Sequence, residues 1–352
     1  MERKAIKSVF LEMEKTSNLQ SGLGQFCFHL GKCFNQIPHS DLELNYYLPK
    51  HNYQLFGNDI NCVIQRPWHK FMTNNRNKFD VWHALHQDSP YPPGKTEKFL
   101  LTVHDLDFLQ NAHKGKRNKR YKALKSKIER AAHVVAISNF TRKQLLDNYQ
   151  IQSDKISVIY NGNGLNTKLN YTSTNKYPDT KYLLALGVVA PRKNLLVLIE
   201  MMRYLEDFHL VIAGPQHRDY KKLIDTETQK YQLENRVHFA GEISEAEKLS
   251  LYSHCTALVF PSISEGFGLP VVEAMSMGKP VFCSKMTSLP EIGGELAFYW
   301  DNFEAEQMAE TILLGLEAVR LDPLFHEKLV RYADRFSWHE AAKQYLELYR
   351  SL

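Results

Sequence analysis

Two carboxylates, Glu265 and Glu273, stand eight positions apart in the segment FPSISEGFGLPVVEAMSMGKPV (260–281). An apolar strand ends near Phe260 and Pro261, a loop with Glu265, Gly266 and Gly268 follows, and Pro270 falls where the first helical position belongs. The helix should run to about Met277, with Gly278 suited to a left-handed cap. Glycine lets backbone approach a ligand closely, and a helix N-terminus offers N–H groups and the positive end of its dipole to an anion. An acid beside such a site repels phosphate. Both glutamates therefore make chemical sense there only if each accepts hydrogen bonds from hydroxyls flanking the phosphate, as in a sugar nucleotide. The plainer alternative is a turn residue at 265 and a dipole-satisfying first-turn acid at 273, and spacing alone favours it.

A second segment, LALGVVAPRKNLLVLIEMM (184–202), opens a loop at Gly187 and presents Arg192 and Lys193 just before a helix. Two cations beside helix-terminal N–H groups make a diphosphate site, the alternative being solvated loop charges. Near the N-terminus, Ser21-Gly22-Leu23-Gly24 lies between an apolar strand and a helix with Phe26, Phe28 and Leu30. It is no dinucleotide fingerprint, because Cys27 takes the third glycine position and the loop is too long. A phosphate- or sugar-facing loop remains open. In TVHDLDFL (102–109), His104 ends a strand, as a packed residue or one facing a ligand. Asp105 and Asp107 form a DxD of the metal-holding kind, here read as coincidental. His83 and His86 lack a third ligand and are weak metal candidates. No nucleophile elbow, P-loop lysine or HExxH is present.

The elements that must position these residues follow from the apolar pattern. Nine apolar runs read as strands: 7–13, 99–105, 133–138, 155–162, 182–187, 209–214, 236–241, 257–262 and 279–284. Most are apolar on successive positions, as parallel strands buried on both faces should be. Amphipathic stretches such as 194–205, 220–231 and 245–253 separate them, so the chain is α/β with mostly parallel sheets. The polar segment 163–181 interrupts the alternation and reads as a connection between two halves. The tail from Trp338 reads as a helix capped by Ser337. Ligands of such sheets lie beyond the strands' carboxyl ends, and two sheets imply a cleft.

Composition agrees with this organisation. The 352 residues are 43% hydrophobic and 24% charged, which excludes disorder. No window approaches the roughly 18–20 apolar residues of a membrane span, and MERKAIKSVFLEMEK reads as a first strand, not a secretory signal. Five scattered cysteines without a CxxC pair speak against a disulfide framework or zinc site and for a reducing cytoplasm. The net charge of +5 is partly local, since 114–130 holds nine cations against Glu129 alone. That run is a solvated helix face or a contact for an anionic membrane or phosphate-bearing substrates. Nucleic acid is not expected, because no binding motif accompanies the charge.

EGFGLPVVE (265–273) resembles the EX7E motif of the retaining glycosyltransferase family 4, whose members have the GT-B fold. Further blocks are similar to the family in order: FLLTVHDLDFL, AISNFTRKQLL, VIYNGNG, LALGVVAPRKNL, LVIAGP, VHFAG, ALVFPSISEGFGLPVVEAM, SLPEIGG and FSW. The resemblance implies two Rossmann-like domains with parallel sheets facing a central cleft: 1–165 on the acceptor side, 166–336 binding the nucleotide sugar, and the 337–352 helix packing back toward the first domain. It implies that Glu273 binds the nucleotide ribose and that Glu265 lies near the donor sugar. By the same resemblance, N–H groups at Phe267, Gly268 and Leu269 hold the β-phosphate and sugar, Lys193 neutralises the diphosphate, and His104 faces the donor sugar. Gly22 and Gly24 match a glycine loop near the donor phosphates.

One departure stands out: many relatives carry arginine after the glycine matching Gly187, and here that residue is Val188, so either Arg192 supplies the second positive charge or the site manages with one cation. Pro191-Arg192-Lys193 resembles the mannosyltransferase-like branch. The implied activity is retaining transfer of a hexose, mannose for preference, from a nucleotide diphosphate sugar to a saccharide or lipid-linked saccharide in cell-surface polysaccharide synthesis. It needs neither metal nor other cofactor, and the cysteine usage places it in the cytoplasm; the charge of 114–130 is either a peripheral contact to the inner membrane face or a merely charged surface. A GT-B phosphorylase would need a cofactor-bearing lysine segment, which is not found. An epimerase and an inactive sugar-nucleotide binder are further alternatives, and intact Glu265, Lys193 and Glu273 argue against the last.

Overall fold

Each of the nine apolar runs contains a strand of the computed structural model, which describes residues 6–70, 79–91, 98–111, 114–165 and 180–352. The strands join two parallel sheets in two separate compact units, residues 1–164 with 336–352, and 165–335. Most of the polar connection read at 163–181 lies outside the described residues.

The first unit runs β1 (Lys7–Glu12), α1 (Gly22–Phe34), β2 (Leu42–Leu48), β3 (Asn61–Ile64), β4 (Val81–Ala84), β5 (Lys98–Val103), α2 (Phe108–Asn111), α3 (Lys114–Arg130), β6 (His133–Ala136), α4 (Asn139–Asn148) and β7 (Ile156–Val158). Its sheet order, β3-β2-β1-β4-β5-β6-β7, reverses direction at β1 and β4, where Leu11 pairs with both Tyr46 and His83. A doubly wound sheet binds ligands beyond the carboxyl ends of its strands at such a reversal. One face of the sheet packs an aromatic cluster of Phe10, Tyr47, Phe79 and Trp82.

The tail helix α12 (Trp338–Ser351) belongs to this unit. Ser337 caps it through the N–H of Glu340, and Trp338, Ala341, Ala342, Tyr345, Leu346 and Tyr349 form its buried stripe. A buried polar chain ties the stripe to the sheet. His83 Nδ1 meets the Tyr349 hydroxyl at 2.7 Å, His83 Nε2 meets Thr102 Oγ1 at 2.8 Å, and Thr102 meets the Tyr345 hydroxyl at 3.0 Å. The Lys7 ammonium donates to the carbonyls of Tyr349 and Arg350 at the helix C-terminus, where a cation is favoured.

The second unit runs β8 (Lys181–Leu186), α5 (Leu196–Met201), β9 (Phe208–Ala213), α6 (Arg218–Lys230), β10 (Val237–Gly241), α7 (Glu245–His254), β11 (Ala257–Phe260), α8 (Leu269–Ser276), β12 (Val281–Ser284), α9 (Leu289–Gly293), β13 (Phe298–Trp300), α10 (Ala305–Leu321) and α11 (Phe325–Ala333). Sheet order is β10-β9-β8-β11-β12-β13, so the reversal lies between β8 and β11. The loops after those two strands carry Arg192–Lys193 and Glu265.

Candidate active site

The loop after β8 is built by close backbone contact. The Gly187 N–H donates to the Ala213 carbonyl at 2.9 Å, and a Cβ on Gly214, itself at φ +135°, would stand 2.2 Å from the Gly187 carbonyl oxygen. Only glycine fits there. Pro191–Lys193 then forms one 3-10 turn closed by Asn194 at φ 53°, and helix α5 begins only at Leu196. The two cations therefore sit on a tight turn, with the helix expected directly after them starting two residues later, and they lean on a carboxylate.

Lys193 Nζ donates to Glu265 Oε1 at 2.5 Å and lies 4.6 Å above the Phe260 ring. The two side chains are only 8% and 11% exposed. Arg192 reaches the same oxygen at 3.7 Å and the Ser264 carbonyl at 3.4 Å, yet its side chain is 44% exposed. Ser262 Oγ lies 2.6 Å from Glu265 Oε1, and the Glu265 N–H donates to Thr287 Oγ1 at 3.1 Å. Ser288 Oγ is within hydrogen-bonding reach of the Glu265 and Phe267 carbonyls. Burial alone would raise the Glu265 carboxyl, but Lys193 and Arg192 outweigh it and hold the group below the usual carboxylate range. Burial lowers the Lys193 ammonium, offset in part by Glu265.

Helix α8 starts one residue earlier than the sequence suggests. Gly268 is its N-cap at φ +108°, and a Cβ there would stand 2.7 Å from Leu289. Leu269 is therefore the first helical residue and Pro270 the second. Glu273 lies in the second turn, which corrects its reading as a first-turn, dipole-satisfying acid. Its side chain is 8% exposed and its ion pair is with Lys248, not with the basic pair. Oε1 accepts from Lys248 at 3.1 Å and Oε2 from the Tyr252 hydroxyl at 2.9 Å, both from α7. Phe267 is buried, which leaves its side chain a packing role, and its carbonyl accepts from Ser288.

In the first unit, Gly22 and Gly24 are not in a loop. They are the first and third residues of α1, and the Ser21 side chain accepts from the Gly24 N–H. The reason is steric: a Cβ on Gly24 would lie 2.0 Å from the Asn18 carbonyl, whereas one on Gly22 meets nothing within 4 Å. Packing accounts for Gly24 and leaves Gly22 as the position where an open backbone faces outward.

His104 follows β5 and is 6% exposed. Its Nε2 donates to the Leu85 carbonyl at 2.8 Å, its backbone N–H to Gln87 Oε1 at 3.0 Å, and its ring meets Phe26 edge-on. Burial lowers its pKa to about 4, so at neutral pH the ring is uncharged and Nδ1 is a hydrogen-bond acceptor. The weak metal reading of His83 and His86 is overturned. His83 faces α12, while His86 Nε2 binds Glu14 Oε1 at 2.5 Å. Asp105 Oδ1 accepts the Asp107 N–H, a local turn. Among the described residues no three His, Cys, Asp or Glu side chains cluster as a metal site.

Sequence reasoning missed Lys248, Tyr252, Ser262 and Ser288. Only the first two left a signal, the four-residue spacing that places them on one face of α7.

These two parallel-sheet units define a GT-B fold. Anabaena HepE in complex with UDP and glucose superposes with a TM-score of 0.79 at 18% identity, over 99% of this chain and 100% of that one. WaaG, a glycosyltransferase involved in lipopolysaccharide biosynthesis, gives 0.68 at 15% identity over 97% and 99%. A family model described as glycosyl transferases group 1 matches residues 167–346, more than half of the chain, and one described as glycosyltransferase family 4 matches 46–163. The chain belongs to this family and is a glycosyltransferase.

Among curated proteins, the O-antigen chain mannosyltransferase B of Escherichia coli is 26% identical over 298 residues, covering 77% of this chain and 74% of that one. The O-antigen chain mannosyltransferase RfbU of Salmonella typhimurium is 31% identical over 206 residues, 56% and 55% of the two. The Escherichia coli serotype-specific mannosyltransferase WbdA is 29% identical over 275 residues, and the match spans 33% of its length.

Proposed function

We propose that the enzyme transfers a hexose, mannose in the first instance, from a nucleotide diphosphate sugar to a saccharide or lipid-linked saccharide, with retention, in cell-surface polysaccharide synthesis. The observation that carries this reading is the buried Lys193–Glu265 pair with Arg192 beside it, at the carboxyl ends of β8 and β11. A departing nucleoside diphosphate gains negative charge, and fixed cations in a site poor in water stabilise it at little reorganisation cost. The mannose preference draws on the O-antigen mannosyltransferase relatives and on Pro191-Arg192-Lys193.

Retention follows if attack occurs on the face the diphosphate leaves. The bond from the anomeric carbon to phosphate oxygen breaks, the bond to the acceptor oxygen forms, and the acceptor proton passes to the departing phosphate. No metal is required in this scheme. Glu265 orients Lys193 and borders the sugar, Glu273 accepts the ribose hydroxyls, and the Phe267–Leu269 backbone takes the β-phosphate. Gly187 lets Lys193 lie close, Gly22 opens the backbone toward the donor while Gly24 packs the start of α1 against Asn18, and neutral His104 accepts a sugar hydroxyl at Nδ1.

Thermal-shift and turnover assays with GDP-mannose and UDP-sugars, with and without chelator, test this reading. Stabilisation by GDP-mannose and chelator-resistant turnover, lost in Glu265→Gln, are expected. A covalent glycosyl-carboxylate intermediate refutes the front-face route.

Among the described residues no helix is long and apolar enough to cross a membrane. Helix α3 supports peripheral contact. Arg120 binds Asp88 and Lys127 binds the Gln87 and Ser89 carbonyls, but Lys116, Lys119, Lys122 and Lys125 stand exposed. Co-sedimentation with phosphatidylglycerol vesicles at low salt is expected, and its absence counts against the contact.

A further inference from the structure

We propose that Lys248 is a positioning residue for the nucleotide, acting with Tyr252 to present the Glu273 carboxylate to a vicinal diol. The proposal rests on the reading that Glu273 accepts the ribose hydroxyls. Both α7 residues donate to the carboxylate, one to each oxygen, at 3.1 and 2.9 Å. Lys248 is 12% exposed and is held from its other side by Glu245 at 3.0 Å. Tyr252 is fully buried, and its hydroxyl also lies 3.3 Å from the Pro270 carbonyl, so it is anchored to the backbone of the helix that carries Glu273.

The arithmetic of lone pairs gives the chemistry. An ionised carboxylate offers about four acceptor positions, two on each oxygen. The two α7 donors take one on each oxygen and fix the plane of the group, which leaves one on each oxygen for a further donor. Two adjacent O–H donors match that remainder, as a vicinal diol supplies. Without Lys248, Glu273 would be a buried carboxylate with a single neutral donor, a state that favours protonation or rotation. A protonated acid presents one donor and can no longer accept from both hydroxyls. The ammonium also retains an N–H beyond those given to Glu273 and Glu245, able to meet a ribose oxygen.

Calorimetry with GDP and UDP, each beside its 2′,3′-dideoxy counterpart, tests the proposal on the full chain. In the unaltered protein, loss of the hydroxyls is expected to weaken binding by about tenfold or more, as removal of hydrogen bonds to a charged acceptor does. In Lys248→Met that penalty should shrink to within about threefold, with affinity for the dideoxy nucleotide nearly unchanged. Lys248→Arg should restore part of it, and donor KM should rise more than kcat falls. Tyr252→Phe, which deletes one hydroxyl only, should show a smaller change of the same kind and serves if Lys248→Met does not fold. A full penalty in Lys248→Met alongside a lost penalty in Glu273→Gln overturns the proposal and leaves the ribose reading intact. A full penalty in Glu273→Gln overturns the ribose reading itself.

Discussion

Lys193→Met leaves Glu265 buried without its nearest cation, and the cost can be worked from the site. The side chains are 8% and 11% exposed, so the pair is screened little by water. Removing one partner of a buried pair typically costs about 3–5 kcal/mol, because the remaining charge stays buried. Here Ser262 Oγ at 2.6 Å and Arg192 at 3.7 Å still face Glu265, which puts the expected loss near the lower end, about 3 kcal/mol. The double variant Lys193→Met, Glu265→Gln removes both charges while keeping both shapes, and should lie within about 1 kcal/mol of the parent. Hydrogen exchange at the Leu184 and Leu258 amides, in the sheet interior of the second unit, reads these differences in the intact chain. The parent's stability should also fall on acidification. Glu265 has a lowered pKa, so its contribution is present above the unfolded value and is lost as pH drops through the folded one. The folded double variant should lose about 100-fold or more in kcat/KM, since stability and charge stabilisation are separable. If Lys193→Met costs under about 1 kcal/mol, or the double variant is no better than the single, the pair is not the buried unit described here.

Glu12, buried beside Glu14, is raised to about 8, chiefly by burial. The contribution of Glu12 to stability should be fullest below about pH 4.5 and decline by about 1.4 kcal/mol per unit until Glu12 ionises. Glu12→Gln should flatten the dependence of melting temperature on pH between 5 and 8. Tyr349→Phe strands the Nδ1 of His83, an imidazole that burial holds near pKa 3, and should cost about 1–3 kcal/mol, read as faster proteolysis of the tail helix. Gly22→Ala should melt within about 0.5 kcal/mol of the parent but bind GDP or UDP more weakly, whereas Gly24→Ala, driven into the Asn18 carbonyl, should fail to accumulate.

The strands most visible in the sequence are those buried on both faces. LLALG and LVIAG announce β8 and β9 because parallel strands between helix layers carry no polar alternation. Four strands escape for identifiable reasons. β3 (NCVI) is a four-residue edge strand only partly buried, and β13 spans three residues. β2 (LELNYYL) interrupts its apolar run with Glu43 and Asn45. β4 (VWHA) is fully buried but holds Trp82 and His83, whose polar atoms are satisfied by Glu12, Thr102 and Tyr349, far away in sequence. The same distance hid Lys248, since nothing in EAEKLSLY points to a carboxylate 25 positions on. Glu265, Lys193 and Glu273 were legible because a family motif marks them. The helix register that places Glu273 in the second turn was not, because it depends on Gly268 adopting φ +108°.

If the proposed site takes a diphosphate, the charge arrangement accounts for valine at 188. Lys193 is fixed: its stem packs 3.2 Å from the Cβ position of Gly187, its ammonium sits over Phe260, and Glu265 already balances its charge. A bound diphosphate therefore meets a Lys193–Glu265 pair close to neutral, and the net positive charge must come from elsewhere. In the proposed reading Arg192 supplies it, with the more exposed side chain and a long contact to Glu265 that costs little to exchange for phosphate. Guanidinium is suited to that exchange, because its planar fork matches two phosphate oxygens at once. Under that proposal the two neighbours divide the work, Lys193 holding Glu265 in place and Arg192 reaching for the ligand, and no second cation directly after Gly187 is then needed.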